Sequence, residues 1–295
     1  MDQMKIGIIG LDTSHVPSFT KLVNKDKKSG AKVLYGYPGG SDKCSVSYNR
    51  VGKFTMAVAQ EGVEIIEEID EIAEKSDAIF LLSCDGGQHL EQFEAIAPFK
   101  KPVYIDKPFT CSIADARKII DISKQQGCPV FSASSLRYAK GIHGFSKGKD
   151  VVSAEVYGPV NLLEDYPIGW FWYGVHSIDI LFEMLGPGVL DVQAKSSENV
   201  DIVHASWEGG KTATVVGYRY PKFHDWGVRL WTGDNMHDSV AANKPSYYEM
   251  MMPHVLEFFK TGKSPKSDRV LLEEMAFLEA VNASIETGEP KKIVI

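Results

Sequence analysis

The chain is predicted to be an α/β protein in two parts: a doubly wound parallel sheet over residues 1–138, then an α+β domain on a mostly antiparallel open sheet over residues 139–295. Three observations predict it. An apolar strand runs straight into a glycine turn at Lys5-Ile6-Gly7-Ile8-Ile9-Gly10. Strand and helix patterns alternate from there to about residue 138. Beyond that point strand-like runs follow one another across short turns. With 295 residues, 44% of them hydrophobic, the chain is long enough to bury two cores.

The elements follow in order. Residues 5–9 form the first buried strand, and Thr13 or Ser14 caps a helix that runs to about Asn24, with Phe19, Leu22 and Val23 on its apolar face. Further strands are expected at 31–35, 64–66, 78–83, 103–105 and 130–133, with helices at 69–75, 89–97 and 113–126 making the crossovers. In the second part, strands are expected at 153–157, 189–196, 201–207, 212–220 and 227–232. Helices are expected at 173–185, ended by Gly186-Pro187-Gly188, and at 247–261 and 270–286. A short apolar strand at 292–295 could join either sheet.

Ligands of a doubly wound sheet bind beyond the carboxyl ends of its strands, which directs attention to residues 11–14, 36–41, 84–89, 106–108 and 134–137. The first of these is half of a dinucleotide-binding fingerprint of Rossmann type. In G-x-G-x-x-G the glycines serve a tight turn, close approach to a pyrophosphate, and helix-strand packing. Gly10 takes the first place, while Asp12 and His15 replace the other two. The candidate cofactor residues here are Gly10, Leu11, Asp12, Thr13 and Ser14. No acid ends the second strand to hold the ribose hydroxyls, and Ser41, Lys43 and Arg50 would suit a 2′-phosphate, so NAD and NADP both stay open. Asp12-Thr13-Ser14-His15 has two readings: a helix cap in which Asp12 and Thr13 satisfy free amides, or a cluster meeting His89 or Asp85 around a metal or polar substrate. The cap is favoured, and no metal is assigned, because the spacing does not bring ligands together.

Composition narrows the partners. A net charge of -7 gives no general pull towards nucleic acid or an anionic membrane, leaving a small molecule as the expected partner. No secretory leader or membrane-length apolar run is read, and Cys44, Cys84, Cys111 and Cys128 show no C-x-x-C spacing. The expected location is cytoplasmic, with reduced thiols.

Taken in order, Gly7-Ile8-Ile9-Gly10, Asp77-Ala78-Ile79-Phe80 through His89, Tyr104-Ile105-Asp106-Lys107-Pro108, Gly174-Val175-His176-Ser177-Ile178-Asp179 and Ser284-Ile285-Glu286-Thr287-Gly288 resemble the Gfo/Idh/MocA oxidoreductases. That resemblance implies a hydroxyl of a sugar or cyclitol oxidised by hydride transfer to NAD or NADP, and a homodimer or homotetramer formed through the second sheet. It adds Cys84, Asp85, His89, Asp106 and Lys107 to the cofactor candidates. Lys107 matches the lysine of the family's Glu-Lys-Pro motif, with a shorter acid before it; its ammonium would stabilise the alkoxide that develops as hydride leaves. The bland alternative is a solvated lysine paired with Asp106. His176 matches the family's substrate-side histidine, but Trp172 stands where many members carry its aspartate partner. Tyr173 is the substitute proton carrier. Trp170 and Trp172 offer faces for a sugar ring, or else pack the domain junction; Arg137 and Asp179 complete the substrate candidates. Cys84-Asp85-Gly86-Gly87 departs from the family's usual Thr-Pro-Asn stretch. Alternatives to a dehydrogenase are a non-redox ligand-binding or regulatory protein, and an enzyme using held NAD for transient oxidation during elimination or hydrolysis.

Overall fold

A strand at the centre of a parallel sheet is covered on both faces and must be apolar throughout. Lys5-Ile6-Gly7-Ile8-Ile9 meets that demand and lies in β1 (Met4–Ile9), with Ile6, Ile8 and Ile9 fully buried. The structure, a computed structural model, describes residues 3–295. It divides into two units: residues 3–110, Ala114–Ala133 and Met251–Ser267 form the first, and Cys111–Ile113, Ser134–Met250 and Asp268–Ile295 the second.

In the first unit β1 is followed by α1 (His15–Lys25), β2 (Ala31–Tyr37), α2 (Ser45–Tyr48), α3 (Val51–Gln60), β3 (Glu64–Ile65), α4 (Ile69–Lys75) and β4 (Ala78–Leu81). Then come α5 (His89–Ile96), β5 (Val103–Ile105), α6 (Ile113–Gln126) and β6 (Val130–Phe131). The strands lie in the order β3-β2-β1-β4-β5-β6, all parallel, so the winding reverses between β1 and β4. That reversal opens the sheet edge where ligands of such folds bind. Helices α2 and α3 are additions to the sequence reading. Their pattern is faint because only Val58 of α3 is buried, while Met56 points outward.

The second unit holds β7 (Ser153–Pro159), α7 (Gly174–Leu185), β8 (Val189–Ser196), β9 (Val200–Trp207), β10 (Thr212–Tyr218), β11 (Gly227–Thr232) and β12 (Asn235–Val240). After α8 (Tyr247–Thr261) come α9 (Asp268–Thr287) and β13 (Lys291–Lys292). The sheet order is β12-β11-β7-β10-β9-β8-β13, antiparallel except for the β7–β10 pair. Helices α7 and α9 cover this sheet through Phe182, Trp207 and Phe277, whose rings stand 5.6 to 6.1 Å apart. The last strand pairs with β8 and therefore belongs to the second sheet. Strand β12 escaped the sequence reading because Asn-Met-His-Asp-Ser-Val is an exposed edge without core alternation.

A single cut near residue 138 does not describe the division, because the chain returns to the first unit from Met251. There Phe258 packs edge-on against Phe131 at 5.6 Å and Phe259 against Phe80 at 5.0 Å. These rings extend the Phe80–Tyr104–Phe131 row of the first core, and burying them stabilises that unit by about 2 kcal/mol each. No helix among the described residues is long and apolar enough to cross a membrane.

Candidate active site

The glycine turn is built as its position demands. Gly10 has φ +85°, and a Cβ there would lie 2.4 Å from the Ser83 backbone nitrogen, so only glycine fits. The amides of Gly10 and Leu11 donate to Tyr37 and Pro38 carbonyls at 3.0 and 2.7 Å, which holds the end of β2 against the turn. Asp12 is wholly buried. Its carboxylate accepts the Cys84 backbone N–H at 2.9 Å, the Ser47 hydroxyl at 2.5 Å and its own N–H. Burial pushes its pKa up, and the bonds from Ser47 and Cys84 only partly offset this.

The capping reading is thereby corrected. Asp12 turns back to serve the end of β4 instead of α1, whose N-cap residue Ser14 makes no side-chain cap bond; Thr13 meets the His15 amide only at 3.5 Å. Nor do Asp12 and His15 gather with His89 and Asp85 as a shared ligand set. His89 is fully buried, its ring nitrogens facing the Ser83 and Phe109 carbonyls at 2.9 and 3.1 Å, so it fastens the chain and does not reach a cofactor. Asp85 accepts Ser41 Oγ at 2.7 Å and the Gly87 amide at 2.8 Å. Ser47 Oγ also accepts the Ser41 amide at 2.7 Å, and Gln88 donates to the Gly40 carbonyl at 3.1 Å. The loop after β2 is thus tied across the sheet edge to the turn after β4. A hydrogen bond from its S–H to Cys44, together with burial, pushes the Cys84 thiol far up, which makes it an inert thiol. Among the described residues no group of three or more His, Cys, Asp or Glu could hold a metal.

A dinucleotide needs backbone donors and space just beyond the first glycine. The turn supplies the backbone geometry. Asp12, at the second glycine position, puts a buried carboxylate there, held by the Ser47 hydroxyl and the Cys84 amide. The Gly10 and Leu11 amides are spent on Tyr37 and Pro38, so NAD or NADP would be held there by Thr13 and Ser14 at the start of α1.

Farther along the same edge, β5 ends in Asp106-Lys107-Pro108. Asp106 is buried; its Oδ1 accepts the Lys107 amide at 2.8 Å and its Oδ2 meets His15 Nδ1 at 2.5 Å. Burial alone would push this carboxyl up, but His15 and Lys107 more than offset it and hold it below the ordinary carboxylate range. The His15 ring stacks on Phe19, 5.3 Å between centroids and 11° between planes. Lys107 itself is half-buried.

In the second unit His176 Nδ1 lies 2.6 Å from Ser134 Oγ. Tyr173 and Trp226 stand edge-on to its ring at 5.1 and 5.7 Å and stack on each other. Burial pushes the Tyr173 phenol up, which keeps it a hydrogen-bond donor. Three substrate candidates have internal work instead. Asp179 accepts the Ser134 amide at 2.6 Å and Arg137 Nη1 at 2.8 Å, while Arg137 Nη2 reaches Glu183 at 2.7 Å. A guanidinium spent on two carboxylates is a clamp for the chain, not a substrate hook. Trp170 is 1% exposed and donates its indole N–H to Asp201 at 2.9 Å, so its faces are core. Trp172 is half-buried. Sequence reasoning missed Ser47 and Trp226 altogether, since neither lies in a motif and both act through the folding of loops. Ser134 stood in the flagged stretch after β6, but nothing marked it as the partner of His176.

Residues 4–134 match the model of an oxidoreductase family described as having an NAD-binding Rossmann fold. No curated protein matches the chain by sequence. Solved structures do share its fold. An Agrobacterium radiobacter oxidoreductase in complex with NAD+, L-tartaric acid and magnesium is 16% identical, with TM-score 0.76 over 99% of this chain and 98% of that one. GenD2 from gentamicin A biosynthesis, in complex with NAD, is 12% identical, with TM-score 0.81 over 100% and 97%. A Lactobacillus casei myo-inositol dehydrogenase in complex with NAD(H) and myo-inositol is 15% identical, with TM-score 0.75 over 99% and 97%. At such identities the likeness is one of fold. The glycine turn lies within residues 4–134, the stretch that is similar to the NAD-binding Rossmann fold of that oxidoreductase family.

Proposed function

We propose that the chain is an NAD(P)-dependent oxidoreductase acting on a hydroxyl or carbonyl of a sugar, cyclitol or related polyol. The observation that carries this reading is the Asp106-Lys107-Pro108 turn at the carboxyl end of β5, inside the domain that matches the family model. Lys107 donates to the reacting oxygen and stabilises the negative charge that grows there, an effect of the oxyanion-hole kind. When bound, the nicotinamide takes up the hydride. The resemblance gives His176 the part of proton carrier, with its ring held by Ser134; Tyr173, kept protonated by burial, serves as a donor. The fold of the Lactobacillus casei myo-inositol dehydrogenase supports a polyol substrate class. A homo-oligomer formed through the outer face of the second sheet belongs to the same reading, and light scattering after gel filtration checks it.

The experiment is a screen of cyclitols and aldoses with NAD+ and with NADP+, followed by nicotinamide absorbance. Saturable turnover of any member supports the reading; none across the panel overturns it. A second reading, a non-redox ligand-binding protein on the same fold, is favoured by one observation: a buried carboxylate, Asp12, stands at the second glycine position of the fingerprint and is satisfied by Ser47 and Cys84. Absence of dinucleotide binding at millimolar concentration selects that second reading.

A further inference from the structure

The segment after β2 does not stay over its own strand. From Tyr37 it crosses the end of β1, the next strand in the sheet, and reaches the turn after β4 on the far side. On the way the Pro38 carbonyl accepts the Leu11 amide at 2.7 Å, and a Cβ on Gly39 would stand 3.4 Å from Gly10 Cα, so this segment lies on the glycine turn itself. Further ties hold residues 40–47 down. Gln88 Nε2 donates to the Gly40 carbonyl at 3.1 Å, Ser41 Oγ donates to Asp85 at 2.7 Å, and the Cys84 S–H donates to Cys44. Ser47 Oγ donates to Asp12 at 2.5 Å and accepts the Ser41 amide at 2.7 Å. Leu11, Asp12, Ser41, Cys44 and Ser47 are therefore all buried at the strand ends beyond which a dinucleotide binds. Apolar anchoring is slight, since Cys44 is the one buried apolar residue of 38–47. A segment held mainly by hydrogen bonds and little apolar contact belongs to the low-stability end of a fold. Gly39 and Gly40, at φ +59° and +110°, stand where it leaves β2, a place that can absorb a large change of backbone angle.

We propose that residues 38–47 form a strap closed over the glycine turn, with Ser41 and Ser47 as its catches, and that a dinucleotide enters only when the strap swings out. The inference rests on the dinucleotide-binding part of the oxidoreductase reading and adds the step that controls entry. Opening separates Pro38 from the Leu11 amide and Ser47 from Asp12, and so returns a backbone donor to the turn. Ser41, whose hydroxyl is spent on Asp85, acts here as a catch and not as a ligand of a 2′-phosphate. The apparent Kd is then the intrinsic Kd divided by the open fraction, so weakening a catch tightens binding without any new contact.

The test uses the full-length wild type, Ser41→Ala and Ser47→Ala, with NADH as the probe. Deuterium uptake by peptides covering the strap, β1 and β4 is measured without NADH, and NADH binding is followed by stopped-flow fluorescence over a rising concentration series. In the wild type the observed binding rate is expected to level off with NADH concentration, because opening limits entry. Ser47→Ala cuts the bonds to Asp12 and to the Ser41 amide; it is expected to speed strap uptake about tenfold and to lower the Kd of NADH by the same factor, with a higher plateau rate. Ser41→Ala loses the bond to Asp85 and is expected to move all three in the same direction by a smaller factor. Uptake in the β1 and β4 peptides is expected to stay as in the wild type. Binding rates that rise linearly to millimolar NADH with one slope for all three proteins overturn the proposal and leave the dinucleotide reading standing. So does uptake that rises equally in the strap, β1 and β4, the sign of a merely structural role. NADH binding by Ser47→Ala but not by the wild type supports the strap as the barrier, whereas binding by none of the three removes the dinucleotide reading and this proposal with it.

Discussion

The two ends of the first sheet's carboxyl edge use buried carboxylates in opposite ways. Over β1 and β2, Asp12 and Asp85 draw in Ser47, Ser41 and the Cys84 amide, and the loop after β2 is laced to the turn after β4. Over β5, Asp106 spends its oxygens on the His15 ring and on the backbone amide of Lys107, the lysine to which the proposed function gives the reacting oxygen. The first arrangement ties two loops together; the second fixes one imidazole and the chain at Lys107. The difference teaches that a broken glycine fingerprint need not mean a disabled site, because the residues replacing the second and third glycines have distinct tasks.

The largest effect is expected at the aiming end. Lys107→Met should lower kcat by about 100-fold or more, while NADH affinity, read by fluorescence titration, changes little. If turnover persists, the two ends do not differ in chemistry. At the self-satisfied end, Asp12→Gly should tighten NADH binding about tenfold, because a carboxylate leaves the second glycine position and backbone alone remains there. An unchanged Kd would show that Asp12 already turns aside at no cost. The wild-type affinity should also rise as pH falls into the raised titration range of Asp12, where protonation removes the charge, with His89 the ionisable neighbour to control for; Asp12→Gly should lack that rise.

Smaller effects concern stability. Gly10→Ala places a Cβ at φ +85° against Ser83 and should cost about 1–3 kcal/mol, read as a lowered denaturation midpoint with the fold retained. Asp106 has a lowered pKa in the folded protein, so its stabilising contribution is present above the ordinary carboxylate range and is lost as pH falls through the folded value. Asp106→Asn should therefore flatten the acid limb of the stability curve, and an unchanged limb would contradict the pairing with His15.

Much of this organisation was legible in the residues. The apolar run of β1, the Gly10 turn and the alternation to β6 rest on local patterning, which is why the parallel sheet could be read strand by strand. The return of the chain at Met251 could not, since α8 shows an ordinary amphipathic pattern whichever core its rings enter. Lys107 was legible because it follows a strand end within a motif. The task of Asp12 was not, because its partners Ser47 and Cys84 lie 35 and 72 residues away. Arg137, Asp179 and Trp170 looked like ligand residues for the same reason: their internal partners are set by tertiary packing, which sequence spacing does not display.

The most direct test is a titration of the wild-type protein with NADH and NADPH, following nicotinamide fluorescence and thermal midpoint together, since a ligand that binds the folded state alone raises the midpoint. Saturable binding of one or both, with a matching rise in midpoint, is the expected result. No binding and no rise at millimolar cofactor would contradict the oxidoreductase reading.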